Sequence, residues 1–388
     1  MLFRSRPTYD LLSRGDTLGV FQLDSDGMRS LLKTLKPNNF NDISALIALY
    51  RPGPMDMDSH TNYAKRKNGL QKITPIHPEV AEPLKEVLDE TYGLIVYQEQ
   101  VQSAARILAG YSLGKADVLR RAMGKKKPEV LAKEKIPFFA GMKEHGYSEE
   151  AAQAVWDILV PFSGYAFNKA HSAAYGLISY WTAYLKTHYP VEFMAALMTS
   201  CIDNPSKVSE YILNCRQMGI RILPPDINRS TGSFSVEDGS IRYGMAAVKG
   251  IGKPVMEAIV EERARGGLFS SLKDFCQRLS GKEVNKRTIE NFIKAGAFDS
   301  FGGTRKQFMM IYVQVMDTVN QEKKSSMTGQ MSLFDIMGEE DKKSFEIRLP
   351  DVGEYAKESK LAFEKEVLGV YISGHPMEEY ADVWKKNI

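Results

Sequence analysis

From about Thr8 to Ile220 the apolar positions recur at spacings of three and four, the period of helices that bury one face. Two short apolar runs interrupt this pattern, LGVFQL (18–23) and YGLIVY (92–97), and both read as strand-like pieces. The Pro-rich RPGPM (51–55) reads as a turn. In RILPPDIN, Pro224 and Pro225 break any helix. Two alternating runs follow in SFSVEDGSIRYGM, around Glu237-Asp238-Gly239, and predict a β-hairpin. Helical periodicity resumes from about Pro254 to Ala295. The stretch QEKKSSMTGQMSLFDIMGEEDKKS is polar at both ends around a small apolar island, which predicts a flexible linker. A last helix is expected near 354–366, and no repeat of solenoid length occurs. The fold class is therefore mainly α with minor β: a large helical domain over 1–222, a smaller module over 223–300 and a tail over 301–388.

Within GYAFNKAHSAAYGLISYWTAYLKTHYP (164–190), Asn168, His171, Tyr175, Ser179, Thr182 and Lys186 share one helical face. Ala170, Ala174, Leu177, Trp181 and Tyr184 share the other, and this second face is expected to be buried. With Lys169, the polar face gathers donors at a helix N-terminus, where free N–H groups and the dipole favour an anion. Gly164 before it allows close backbone approach. The same residues also fit a plainer reading, in which Asn168 caps the helix and His171 meets a local partner.

A second feature favours the anion. In KADVLRRAMGKKK, Arg120, Arg121, Lys125 and Lys126 stand among six basic residues facing one acid, Asp117. Arginine suits bidentate phosphate recognition, so the two segments suggest a triphosphate or a nucleic-acid backbone. Gly250-Ile251-Gly252, flanked by Lys249 and Lys253 and followed by Pro254, reads as a glycine hairpin whose backbone N–H groups are open to a phosphate. A related helix, VNKRTIENFIKAGAFDSFG, follows at the distance a paired module needs. In the linker, Gln330, Leu333 and Phe334 are either incidental or a docking peptide whose apolar pair fills a partner's pocket.

Composition alters this picture little. The chain has 388 residues, 43% hydrophobic and 26% charged, with a net charge of +3, as expected for a soluble protein of two or three domains. Three cysteines without a CxxC pair argue against a disulfide framework or thiolate zinc site and fit a reducing cytoplasm. Neither a signal peptide nor a run long enough to span a bilayer is evident, so no membrane partner is expected. Asp24-Ser25-Asp26 and Asp56-Met57-Asp58 are the carboxylate pairs that could begin a two-metal site, and neither has a third acid in context. No metal site is expected in this chain.

Several segments, in order, resemble one family: GDTLGVFQLDSDGM, ALYRPGPM, YGLIVYQEQV, LRRAMGKKK, FNKAHSAAYGLISYWTAYLKTHYPVEFMAAL, VKGIGK and IKAGAFD. Together they look like the polymerase (alpha) subunit of bacterial replicative DNA polymerase III. The resemblance covers its fingers domain (1–222), its tandem helix-hairpin-helix module (223–300), and the linker (301–388) toward an oligonucleotide-binding domain. It implies that Arg120, Arg121, Asn168, Lys169, His171 and Tyr175, with Arg51, handle an incoming nucleoside triphosphate. It further implies that Lys125, Lys126, Lys249, Gly250, Gly252 and Lys253 meet DNA, and that Gln330, Leu333 and Phe334 meet the sliding clamp. Primer-template DNA and other holoenzyme subunits are the remaining implied partners. The family's catalytic carboxylates lie in a palm segment with a PDFD-like motif that would precede residue 1, as would the polymerase-and-histidinol-phosphatase domain. The resemblance thus implies no catalytic residue here, Mg²⁺ ligands outside this chain, and inactivity of the chain alone. The alternative is a non-catalytic DNA-binding and clamp-docking protein.

Overall fold

The computed structural model of the chain describes residues 2–124, 128–163, 165–279, 284–327 and 347–377. The chain folds as two compact units, 1–189 and 190–388, divided upstream of the boundary at 222 read from the sequence.

The first unit holds helices α1 (Arg6–Arg14), α2 (Asp26–Leu35), α3 (Phe40–Leu49), α4 (Pro52–Asp56), α5 (Ser59–Lys67), α6 (Lys85–Leu88), α7 (Gln98–Ala109), α8 (Leu113–Gly124), α9 (Pro128–Glu144), α10 (Glu149–Ser163) and α11 (Lys169–His188). Ser5, Ser25, Asn39 and Asn168 begin α1, α2, α3 and α11, each accepting an N–H from the first turn. RPGPM is helical rather than a turn, because Pro52 sits where a missing N–H costs nothing. LGVFQL is a pair of turns rather than a strand. Gly19 and Gln22 are left-handed there, and the loop buries Val20 and Leu23. In YGLIVY, Tyr92 and Gly93 form a left-handed turn, and the remaining 94–97 make only an isolated bridge, Tyr97 to Phe167. It runs between two apolar clusters, one built on α1, α2, α3, α5 and α11, the other on α7 to α10.

The buried face of α11 is not the one its apolar residues predict. Ala170, Ala174 and Trp181 are exposed, with Trp181 at 44%, whereas Ser172, Gly176, Ser179, Tyr180 and Ala183 are buried. Close approach is the reason: a Cβ at Gly176 would stand 3.5 Å from Phe40 and 3.6 Å from the Ser44 backbone of α3. Small residues let two helices pack tightly, and that contact outweighs the larger apolar side chains on the opposite face.

The second unit holds α12 (Pro190–Ser200), α13 (Pro205–Gln217), β1 (Ile222–Leu223), β2 (Ser235–Glu237), β3 (Ser240–Arg242), α14 (Lys253–Gly266), α15 (Leu272–Leu279), α16 (Lys286–Ala295), α17 (Arg305–Met327) and α18 (Lys357–Leu368). The expected hairpin is present, its turn made by Asp238 and Gly239, both at positive φ. β1 adds to it in parallel, giving the order β1-β3-β2 with Ile222 opposite Ile241. Phe275, Phe292 and Phe298 meet edge to face in the core below.

Glu237 closes the hairpin by accepting from Arg242 Nε and Nη2 at 2.8 and 2.7 Å and from Arg229. The Arg242 and Arg229 guanidinium groups hold its carboxyl down to about 2, from an ordinary 4.5. A depressed carboxyl stabilises the fold above its unfolded pKa, and this contribution is lost as pH falls toward the folded value. Acid unfolding of the second unit should therefore steepen between pH 4.5 and about 2. Urea midpoints across that range should show Glu237→Gln less stable at neutral pH and flatter in acid.

Candidate nucleotide and nucleic-acid sites

Three segments meet at the start of α11. One is Tyr97-Gln98-Glu99, where the extended run enters α7. Gln98 donates its N–H to Phe167 O at 2.9 Å and its side-chain amide to Ala166 O at 3.2 Å. The second is the end of α3, where Arg51 donates from Nε to Ala48 O at 2.9 Å and from Nη2 to Tyr165 O at 2.6 Å. Its guanidinium lies 4.3 Å over the Phe167 ring. The third is residues 165–171 itself. Gly53 in α4 is required by this packing, since a Cβ there would overlap the Tyr165 ring.

A buried hydroxyl junction fixes these segments. Ser44 and Ser172 Oγ are 2.9 Å apart, Tyr97 OH donates to Ser44 Oγ at 3.3 Å, and Ser172 Oγ also donates to Ser44 O. Burial pushes the Tyr97 phenol up to about 12, so it remains a donor.

Asn168 caps α11, accepting the His171 N–H at 2.8 Å, so the plainer reading of that residue is also its observed geometry. His171 is exposed and stacks on Tyr175 with centroids 4.2 Å apart; its ring also meets the edge of Phe167 at 5.2 Å. Further along the same face, Thr182 Oγ1 accepts the Phe21 N–H and Lys186 Nζ donates to Leu18 O. Those two side chains grip the 18–23 loop, and the predicted ladder of ligand donors ends at Tyr175.

The helix N-terminus already holds an anion supplied by the chain. Glu99 accepts the Lys169 N–H on both oxygens, at 3.1 and 3.0 Å, and the Asn168 amide at 3.0 Å. Lys169 Nζ is bound by both oxygens of Glu90, at 2.7 and 2.8 Å. These carboxylates line an open cleft of about 440 Å³ with Glu86, Arg106 and Lys169. Sequence reasoning missed Glu90 and Glu99, although Glu99 stands inside the quoted YGLIVYQEQV.

Arg120 and Arg121 share Asp117, at 2.9 and 2.7 Å, and this pairing holds the aspartate below the usual carboxylate range. Arg120 Nη1 also donates to Gln98 Oε1 at 3.3 Å, which ties α8 to the segment beside Phe167. The Arg121 side chain is 69% exposed. Arg51 differs from both: burial lowers its pKa, and no carboxylate pairs with it among the described residues.

In the second unit the glycine turn is formed as expected. Gly250 is left-handed, Gly252 starts α14 without a side-chain cap, and Lys249, Gly250, Gly252 and Lys253 are exposed. Asn291 of α16 holds the turn by donating to Lys249 O at 2.8 Å. Gly164, Lys125, Lys126, Gln330, Leu333 and Phe334 lie outside the described residues. Among the described residues no three His, Cys, Asp or Glu side chains converge on a metal position, and no helix is long and apolar enough to cross a membrane.

Residues 3–146 match the finger domain of the bacterial DNA polymerase III alpha subunit, and residues 219–308 match a helix-hairpin-helix motif. The chain is similar to proteins named DNA polymerase III subunit alpha. It is 50% identical to that of Mycobacterium leprae over 96% of its own length and 32% of the relative's. For Vibrio cholerae the figures are 46%, 95% and 32%, and for Escherichia coli K12 they are 44%, 97% and 32%. The chain spans about a third of the length of the curated relatives it matches.

The packing at Gly53 generates one expectation. Gly53→Ala should push Tyr165 aside and cost about 1–3 kcal/mol, the usual penalty for overpacking. Urea unfolding followed by tyrosine and tryptophan fluorescence measures it; an unchanged midpoint would mean that the Tyr165 contact does not constrain the segment.

Proposed function

Because this chain is the counterpart of the finger and helix-hairpin-helix part of bacterial DNA polymerase III alpha subunits, we propose that it handles substrates for DNA-directed DNA synthesis. It binds an incoming deoxynucleoside triphosphate on the first unit and primer-template duplex on the second. The observation that carries the nucleotide assignment is Arg51, a guanidinium without a carboxylate partner among the described residues, lying on Phe167 beside the exposed His171–Tyr175 stack. A partly buried cation with only carbonyl partners favours an anion nearby. The stacked rings offer an aromatic face to a base or sugar.

Arg121 meets phosphate from its exposed position, Arg120 supports it from the Gln98 side, and Lys169 and Asn168 contribute once released from Glu90 and Glu99. Lys249, Gly250, Gly252 and Lys253 contact the duplex backbone through exposed N–H groups and ammonium charge, without reading sequence. Lys125 and Lys126 add basic charge, and Gln330, Leu333 and Phe334 dock on the sliding clamp. Phosphoryl transfer in the whole polymerase uses Mg²⁺ to offset the triphosphate charge. We place its ligands and the catalytic carboxylates outside this chain, as the family resemblance implies. The chain alone then binds and orients without catalysing transfer, in the bacterial cytoplasm and among the other polymerase III holoenzyme subunits. A non-catalytic DNA-binding and clamp-docking protein is the second reading, and it gives the Arg51–Phe167–His171 cluster no task.

Binding of a matched triphosphate to the chain on primed duplex separates the two. Arg121→Ala should weaken it by roughly tenfold, the worth of one charge-assisted hydrogen bond at about 1.5 kcal/mol, and His171→Ala by roughly threefold to tenfold through loss of a stacked ring worth about 0.5–1.5 kcal/mol. Both should leave duplex affinity intact. Equal loss of both affinities would sink the separate-site assignment. Replacing Leu333 and Phe334 with Ala should abolish capture of a purified sliding clamp, and undiminished capture would remove the peptide from the account.

A further inference from the structure

The second unit contains the glycine turn twice. Before α14, a short 3₁₀ turn (Met245–Ala247) leads to left-handed Gly250, two residues ahead of the Gly252 N-cap. Before α17, a 3₁₀ turn (Asp299–Phe301) leads to left-handed Gly302, two residues ahead of Thr304, and Arg305 opens the helix. The helix-hairpin-helix match ends at residue 308, inside the first turn of α17.

The two turns differ in what their N–H groups do. At the first, the N–H groups of Gly252 and Lys253 have no acceptor among the described residues, and Lys253 is exposed. At the second, every N–H of the opening turn is taken. Thr304 donates to Gln307 Oε1 at 2.8 Å, and Gln307 donates back to Thr304 Oγ1 at 3.2 Å. Arg305 and Lys306 donate to the two carboxylate oxygens of Glu354, at 3.3 and 3.2 Å. The first basic side chain of the helix is also withdrawn. Arg305 is 2% exposed and bound to Asp299 and to the fully buried Glu364 of α18. Glu354 is in turn held by the Tyr355 N–H and by Lys360.

We infer that the two turns are not equivalent DNA contacts: the first takes a backbone phosphate, while the second is closed by the chain's own Glu354 carboxylate, seated where a phosphate would bind. The inference rests on reading the first turn as a duplex contact. By position the counterparts of Gly252 and Lys253 are Thr304 and Arg305, whose N–H groups are taken by Gln307 Oε1 and by Glu354, so a phosphate at that helix end is excluded while the glutamate stays seated. The segment carrying Glu354 therefore restricts the duplex-facing surface of the module to the α14 side. The neighbouring α18 also braces the first turn, through Lys249 N–H to Val367 O at 2.8 Å.

Duplex affinity of the full chain, measured by fluorescence anisotropy across a salt series, tests this. Lys253→Ala should weaken binding and make the salt dependence shallower by about one phosphate. Glu354→Ala should do the opposite, raising affinity roughly fivefold at low salt and steepening the slope by about 0.9. Lys306→Ala should be silent in the native background and should reduce, without abolishing, the gain in the Glu354→Ala background, since it removes the ammonium and keeps the freed N–H. If Glu354→Ala does not fold, Glu354→Gln reads a smaller gain in the same direction. A folded Glu354 variant with unchanged affinity and slope, beside a weakened Lys253→Ala, overturns the closure alone. No effect of Lys253→Ala overturns the reading of the first turn, and the closure falls with it.

Discussion

The candidate nucleotide site depends on three buried hydroxyls. Ser44, Ser172 and Tyr97 come from α3, α11 and the extended run before α7, and they satisfy one another where no water reaches. A buried hydroxyl left without a partner costs about 1–3 kcal/mol, so the three segments are stable only in this register. Each leads within a few residues to a side chain of the site: α3 to Arg51, the extended run to Gln98 and Glu99, and α11 back to Asn168, Lys169 and His171. The tight approach at Gly176 makes the register stricter, because larger side chains would hold the helices apart.

The same economy of charge recurs in both units. The start of α11 and the start of α17 each present N–H groups to an anion, and in each a glutamate of the chain fills the place. The start of α14 is left open. A helix N-terminus is thus informative about anions in general, and the carboxylates nearby decide which of these positions remains for a ligand.

Much of the fold was legible because it rests on local rules. The Asp238-Gly239 hairpin, the proline break, the Gly250 turn and the Asn168 cap all follow from residues within a few positions of one another. What was not legible is nonlocal. Glu99 meets Asn168 across 69 positions, and β1 pairs with a strand beyond the hairpin turn. The buried face of α11 misled for a different reason. Periodicity weighs side chains by hydrophobicity and favours Trp181 over Ser172, whereas the packing was decided by how closely two backbones could approach. For the site, the residue types at Arg51, Arg120, Arg121 and His171 were visible; the pairing of the two α8 arginines with Asp117, and the lack of a carboxylate at Arg51, were not.

The most direct test of the hydroxyl junction is to bind a matched triphosphate to Ser172→Ala and Ser44→Ala chains on primed duplex, with melting and duplex affinity measured in parallel. If the junction sets the site, triphosphate affinity falls in both variants while duplex affinity stays at the native value. Variants that melt earlier yet bind the triphosphate as tightly as the native chain would show that the site does not depend on this register.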